Sequence, residues 1–296
     1  MRMSTIHFQI LAAIVAFLPM AAVSGASAEA LKPFKDDLFS SQPVLESHDG
    51  GAFETIDYQS ARDINARDEI PERRVKRPYL SLGVRWKQKD ETLVLGDRKL
   101  DVTRVGPEAA QAFTVIFVHG RGGDRRLGSD DYRFGGNFNR LKNLAVDNGG
   151  TYYAPSVKSF DAAGVADVAT LIAHAYDQSG HRPVVLSCAS MGSFVCWAIA
   201  RDPETVKRLA GMVIIGGATD PEFLKSPFYA ARLPVWFTHG GNDPVYPAAG
   251  QQAFFEKLFK SGYPTRFTLF ATGSHGTPVR MIDWRKVLNW ILDGHA

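Results

Sequence analysis

Six short runs of almost unbroken apolar residues, at 113–118, 152–154, 183–186, 212–215, 235–238 and 266–270, constrain this chain more than any other feature. Runs of that length without polar alternation fit strands buried on both faces, which occur where crossover helices cover a parallel sheet. The segments between them carry helical spacing. Val165, Val168, Leu171, Ile172 and Ala175 recur at three and four residues until Gly180 stops the pattern. Phe254, Phe255, Leu258 and Phe259 mark a second helix ended by Gly262, and Trp284, Val287, Leu288 and Ile291 mark a closing one. Asp202 before Pro203 predicts a cap and first turn, with a short helix over 204–209. Ahead of this alternation, strand signals at 79–86, 92–95 and 99–105, with Gly96-Asp97 turning the last pair, predict an opening antiparallel meander. Strand and helix in turn define an α/β domain.

The amino terminus reads differently. Arg2, an apolar run from Phe8 to Leu18 and small residues ending Ala26-Ser27-Ala28 form the pattern of a secretory signal peptide, cut after Ala28. A spanning helix needs about 20 apolar residues, and Pro19 interrupts this run, so no stable membrane insertion is expected after cleavage. The mature chain is therefore expected to be exported, to the periplasm or beyond. It would hold 268 residues (296 less 28) and a charge of +2, because only Arg2 leaves the 34 Lys+Arg that face 31 Asp+Glu. That length suffices for one large domain, and the near balance of charge argues against a nucleic-acid partner.

Residues 29–78 are charged, broken by Pro and Gly and without sustained period, so they read as an extended leader to a domain at 79–296. Within them Arg73, Arg74, Lys76 and Arg77 form one basic cluster, read as solvated, with an anionic ligand or a membrane surface as the other option. The two cysteines, Cys188 and Cys196, are expected to be free thiols. If 190–196 is helical, six steps of about 1.5 Å put its ends roughly 9 Å apart, beyond the ordinary disulfide reach of about 7 Å.

The chemistry gathers just past the apolar runs. Val184-Val185-Leu186 leads into Ser187-Cys188-Ala189-Ser190-Met191-Gly192-Ser193, where small residues two before and two after Ser190 permit a sharp turn that lifts a hydroxyl above a sheet. Taken alone, the string is as easily an ordinary strand-to-helix turn. Upstream, strand 114–118 ends in His119-Gly120-Arg121-Gly122-Gly123; no Gly-Lys-Ser/Thr follows to make a phosphate loop. Downstream, 235–238 runs into His239-Gly240-Gly241-Asn242-Asp243-Pro244-Val245, and the last strand into Ala271-Thr272-Gly273-Ser274-His275-Gly276. Asp220, also past a strand end, is the alternative acid, whereas His174 and His181 fit solvated positions on a helix and its exit. No metal-ligand spacing such as H-E-x-x-H occurs.

Serine, aspartate and histidine in that order, each beyond a strand and preceded by a His-Gly loop, resemble the α/β-hydrolase superfamily over about residues 91–296, with Cys188 where the family's motif has its first glycine. The resemblance implies a mostly parallel central sheet of about eight strands, helices on both faces and antiparallel strands at the N-terminal edge. It implies Ser190 as nucleophile, His275 as general base and Asp243 as the acid that holds the imidazole. The backbone N–H groups of Arg121 and Met191 would form the oxyanion hole, with His119 a structural histidine. No metal or organic cofactor is implied. The expected partner is a small-molecule ester: the short connection between 215 and 235, where many lipases carry a lid, favours a short acyl group. A serine peptidase or thioesterase on the same fold, or a non-catalytic binding protein, are the alternatives. Arg121, Arg125, Arg126 and Arg133 crowd the oxyanion loop among Asp124, Asp130 and Asp131. Arg125 and Arg126 are possible contacts for an acidic substrate, or else surface ion pairs.

Overall fold

The computed structural model describes residues 30–294. The expected signal peptide, 1–28, lies outside them. Ten strands form one sheet: β1 (Val44–His48), β2 (Phe53–Ile56), β5 (Gln88–Leu95), β6 (Arg98–Val105), β7 (Thr114–Val118), β8 (Thr151–Pro155), β9 (Val184–Ala189), β10 (Leu209–Ile215), β11 (Val235–Gly240) and β12 (Thr265–Phe270). Two more, β3 (Asp68–Glu69) and β4 (Arg74–Val75), make a separate small ladder. The order in the large sheet is β1-β2-β12-β11-β10-β9-β7-β8-β6-β5. Strands β2 through β8 in that order are mutually parallel, while β1 and the pair β6-β5 run antiparallel at the two edges. The sheet thus has ten strands where about eight were expected, and antiparallel strands close both of its edges.

The apolar runs are buried on both faces for the reason read from them. On β9, β10 and β11, Leu186, Ile214 and Phe237 pack to one face with Val168, Leu171 and Val195. Val185, Val213 and Trp236 pack to the other with Leu141, Leu144 and Leu288. The helices Ala162–Gln178, Ser193–Ile199 and Ala248–Lys260 supply the first layer, and Asn137–Asp147 and Trp284–Leu292 the second. The helix after Pro203 stops at Val206, because Leu209 already begins β10.

Two expectations need correction, and one helix was not foreseen. First, residues 79–86 do not form a strand. Short turns at Arg77–Tyr79 and Arg85–Lys87 bracket them, and the Asn139 side chain satisfies Ser81 instead, accepting from its N–H (2.9 Å) and donating to its C=O (2.8 Å). Second, part of the leader belongs to the sheet. The hairpin β1-β2, turned by Asp49-Gly50-Gly51, lies beside β12, with Phe267 N–H donating to Ala52 C=O at 2.7 Å. The unforeseen helix is Asn137–Asp147. Its apolar face packs on the sheet, but its other side buries Arg140 and Lys142. Leader residues cover part of that side: Arg140 meets Asp36 at 3.0 Å and Ser40 at 2.8 Å, and Phe39 sits 5.1 Å from its guanidinium. Lys142 pairs with Asp131 at 2.7 Å, although burial still pulls its pKa below the ordinary lysine value.

Candidate active site

Parallel strands present all their carboxyl ends to one rim, and loops there collect side chains from distant parts of the chain. Here β7 neighbours β9, and β10, β11 and β12 follow in order. Ser190 ends β9 with φ of 52°, a left-handed conformation that costs a non-glycine residue about 1 kcal/mol or more and is paid only where the surroundings enforce it. The enforcement is close approach. A Cβ on Gly192 would lie 2.7 Å from His119 O, and one on Gly120 would lie 2.8 Å from Ser190 Cβ, so both positions need glycine.

The turn also overturns the reading of the cysteines. Cys188 and Cys196 form a disulfide, with Cα atoms 6.2 Å apart. The earlier distance counted only the rise along the helix. Because the chain doubles back at Ser190, Cys188 on the incoming strand and Cys196 on the outgoing helix recede from the turn side by side. Closing a loop with a sequence separation of 8 is worth about 2–3 kcal/mol in the chain-entropy account. The Cys188→Ala/Cys196→Ala double variant is expected to lose that much in urea unfolding and to be indifferent to reductant, whereas the native protein with reductant falls to the same level. Equal stability of oxidised and double-variant protein would remove the disulfide from any stabilising role.

The three expected residues meet. His275 Nε2 is 2.8 Å from Ser190 Oγ, and His275 Nδ1 is 2.8 Å from Asp243 Oδ2. Asp243 is buried, and its Oδ1 accepts from the N–H groups of Val245 (2.8 Å) and Tyr246 (3.1 Å), which fixes the carboxylate. His239, unassigned by the sequence, stands 3.2 Å from Asp243 Oδ2 on its other side. Its Nδ1 faces Gln251 Oε1 at 2.6 Å and its Nε2 faces Tyr246 C=O at 2.7 Å, while Gln251 Nε2 donates to Gly217 C=O at 3.0 Å. Asp243 is therefore flanked by His275 on one side and by the fully buried His239 on the other. The signal that could have found His239 is its place directly after the apolar run 235–238, four residues before Asp243. Asp220 is committed elsewhere, to an ion pair with Arg201 and to the N–H of Glu222.

The loop 119–123 is fixed by His119. Its Nε2 accepts from Val157 N–H at 3.0 Å, so its Nδ1 carries the proton and donates to Gly120 C=O at 2.7 Å. Gly123 N–H donates to the same oxygen at 3.1 Å. A trans peptide sets C=O and N–H on opposite sides, so holding the Gly120 oxygen orients the Arg121 N–H. Burial lowers the His119 pKa below its ordinary value. The neutral form is thus favoured in the folded state, and the stability it gives is complete above the unfolded value near 6.5 and lost as pH falls toward the folded one. Urea midpoints are expected to drop below about pH 6.5, less so in His119→Gln; parallel curves for the two proteins would sink this assignment.

Arg121 and Met191 line a cavity of about 440 Å³ with Ser190 and His275, walled by Leu127, Phe134 and Val279 among others. Arg125 and Arg126 do not line it. The Arg125 guanidinium donates to the C=O groups of Glu91 (3.1 Å) and Val102 (3.3 Å) on the sheet edge. Arg126 is 84% exposed and pairs with Asp124 at 2.5 Å, so the alternative of a surface ion pair describes it. Among the described residues no group of side chains is arranged to hold a metal ion.

A serine at a sharp turn past a central strand of a mostly parallel sheet, with a histidine and an aspartate brought beside it from the ends of β12 and β11, is the arrangement of the α/β-hydrolase class. The chain belongs to the alpha/beta hydrolase family, whose profile matches residues 115–293. A thermostable esterase is similar at 17% identity and a TM-score of 0.53, over 71% of this chain and 64% of that one. An acylaminoacyl peptidase of Pyrococcus horikoshii is similar at 14% and 0.51, over 70% and 42%, and a Xanthomonas campestris α/β serine hydrolase without lid at 18% and 0.50, over 70% and 93%. These likenesses show the fold alone, and the chain spans less than two thirds of the first two proteins. No curated protein matches the sequence.

Proposed function

We propose that this chain is a serine hydrolase that cleaves carboxylic esters through an acyl-enzyme on Ser190. The observation that carries the reading is the continuous hydrogen-bond relay from Ser190 Oγ through His275 to Asp243, at 2.8 Å in each step. Ser190 Oγ attacks the ester carbonyl while His275 Nε2 takes its proton, and the carbonyl oxygen becomes an oxyanion. The N–H groups of Arg121 and Met191 stabilise that charge, each by about 3 kcal/mol. The alcohol leaves with the proton from His275, and water, deprotonated by the same imidazole, releases the acid and regenerates Ser190.

A short acyl group is supported by the apolar cavity of about 440 Å³ and by the connection after β10. There Phe223 and Phe228 are buried in the core, so the segment packs down on the sheet as part of the body. Hydrolysis of a p-nitrophenyl ester series, greatest at two to four acyl carbons and stoichiometric with fluorophosphonate labelling of Ser190, is the test. Absence of labelling would favour a binding protein. The peptidase reading is kept because of the acylaminoacyl peptidase likeness, and turnover of p-nitroanilides above the matching esters would establish it. Export is part of the proposal. A buried disulfide suits an oxidising compartment, and mature protein beginning at residue 29 is the mass expected from the periplasm or medium.

A further inference from the structure

Beside the catalytic cavity lies a second one of about 310 Å³, and the two share Phe134 and Gly276. Its floor is the loop that carries His275, through Ser274, Gly276 and Thr277, and its wall holds Glu72, Arg73, Arg133 and Arg280. Gly276, which lines both cavities, has open space on its side-chain face, since a Cβ added there would meet nothing within 4 Å.

The charges on this wall are unequally committed. Arg280 is spent on Asp68, with Nη1 3.1 Å from Oδ1. Arg133 reaches Asp130 only at 3.7 Å, and Asp130 Oδ1 already accepts from the N–H groups of Tyr132 and Arg133 at 2.7 and 3.0 Å. Among the described residues Arg73 has no ion pair, and neither does Glu72. On the far side of the catalytic cavity Arg121 also lacks an ion pair among the described residues. Arg73 and the loosely paired Arg133, both largely exposed, thus line the second cavity and Arg121 lines the catalytic one, with Glu72 the one carboxylate among the lining residues of the second cavity.

We infer that the second cavity is a subsite for a carboxylate on the substrate, which Arg73 and Arg133 bind while the ester reaches Ser190 past Phe134 and Gly276. The inference rests on the serine-esterase reading for the ester, but not for the anion. Guanidinium and carboxylate match as planar, charge-assisted partners. Arg125 and Arg126, read from the sequence as possible contacts for an acidic substrate, take no part; Arg133 comes from the same arginine-rich stretch and Arg73 from the basic cluster of the leader.

Two measurements test it. Hydrolysis of mono-p-nitrophenyl glutarate and of the butyryl ester of 4-hydroxybenzoate places the carboxylate on the acyl or the alcohol side, with p-nitrophenyl butyrate as the neutral reference. In Arg73→Gln/Arg133→Gln, kcat/KM for at least one anionic ester is expected to fall about ten-fold, mostly through KM, with less than two-fold change for the neutral one. Arg126→Gln should leave all three unchanged. Separately, calorimetric titration of the Ser190→Ala protein with glutarate should show binding that the two arginine substitutions abolish. Arginine-dependent glutarate binding without ester turnover would keep the subsite and discard the esterase. Turnover of all three esters unaffected by the arginine substitutions, with no arginine-dependent binding, overturns the subsite and leaves the esterase standing.

Discussion

Replacing Ser190 by alanine is expected to lower kcat on a short-chain p-nitrophenyl ester by about 10⁴-fold or more, with the unfolding midpoint almost unchanged. The size follows from the geometry. Without Oγ there is no nucleophile 2.8 Å from His275 Nε2, and attack must come from water that the site does not position. Residual turnover would come from the two N–H donors, which still stabilise an oxyanion. The fold should tolerate the change, because the turn is held by Gly120, Gly192 and the disulfide more than by the hydroxyl. Turnover within ten-fold of the native protein would require another nucleophile and end the acyl-enzyme reading.

Asp243→Asn comes next, at about 10⁴ in kcat. The native carboxylate accepts at both oxygens: Oδ2 from His275, Oδ1 from two backbone N–H groups. An amide can keep the Oδ1 bonds only by turning its NH2 toward His275 Nδ1. That forces the proton onto Nε2, where it faces Ser190 and cannot accept the hydroxyl proton. Asp220→Asn is the control, since that side chain serves Arg201 and a turn. A larger loss from Asp220→Asn than from Asp243→Asn would reverse the assignment of the acid.

What the sequence disclosed and withheld has physical causes. The parallel strands were legible because burial on both faces leaves unbroken apolar runs, and the residues of the relay were legible because each stands directly past such a run. β1 was hidden because it lies on the rim of the sheet, largely exposed, and so carries no apolar alternation. Its Asp-Gly-Gly turn was the remaining signal. Helix Asn137–Asp147 was hidden because, besides its apolar face, it buries Asn139, Arg140, Lys142 and Asn143 on the side that a surface helix leaves polar and exposed, against tertiary partners such as Asp131 and Asp36. The disulfide was hidden because a left-handed residue, which no spacing rule reports, folds strand against helix.

The pairing of β2 with β12 has a consequence for how this chain matures. Their partners Phe53 and Phe267 are 214 positions apart, so the hairpin β1-β2 has its docking place only once β12 has been made. Contacts of such long range form late and slow acquisition of the native state. Until β12 is made, β1 and β2 have no neighbouring strand in the large sheet, so this hairpin is the last piece to cover the β12 edge.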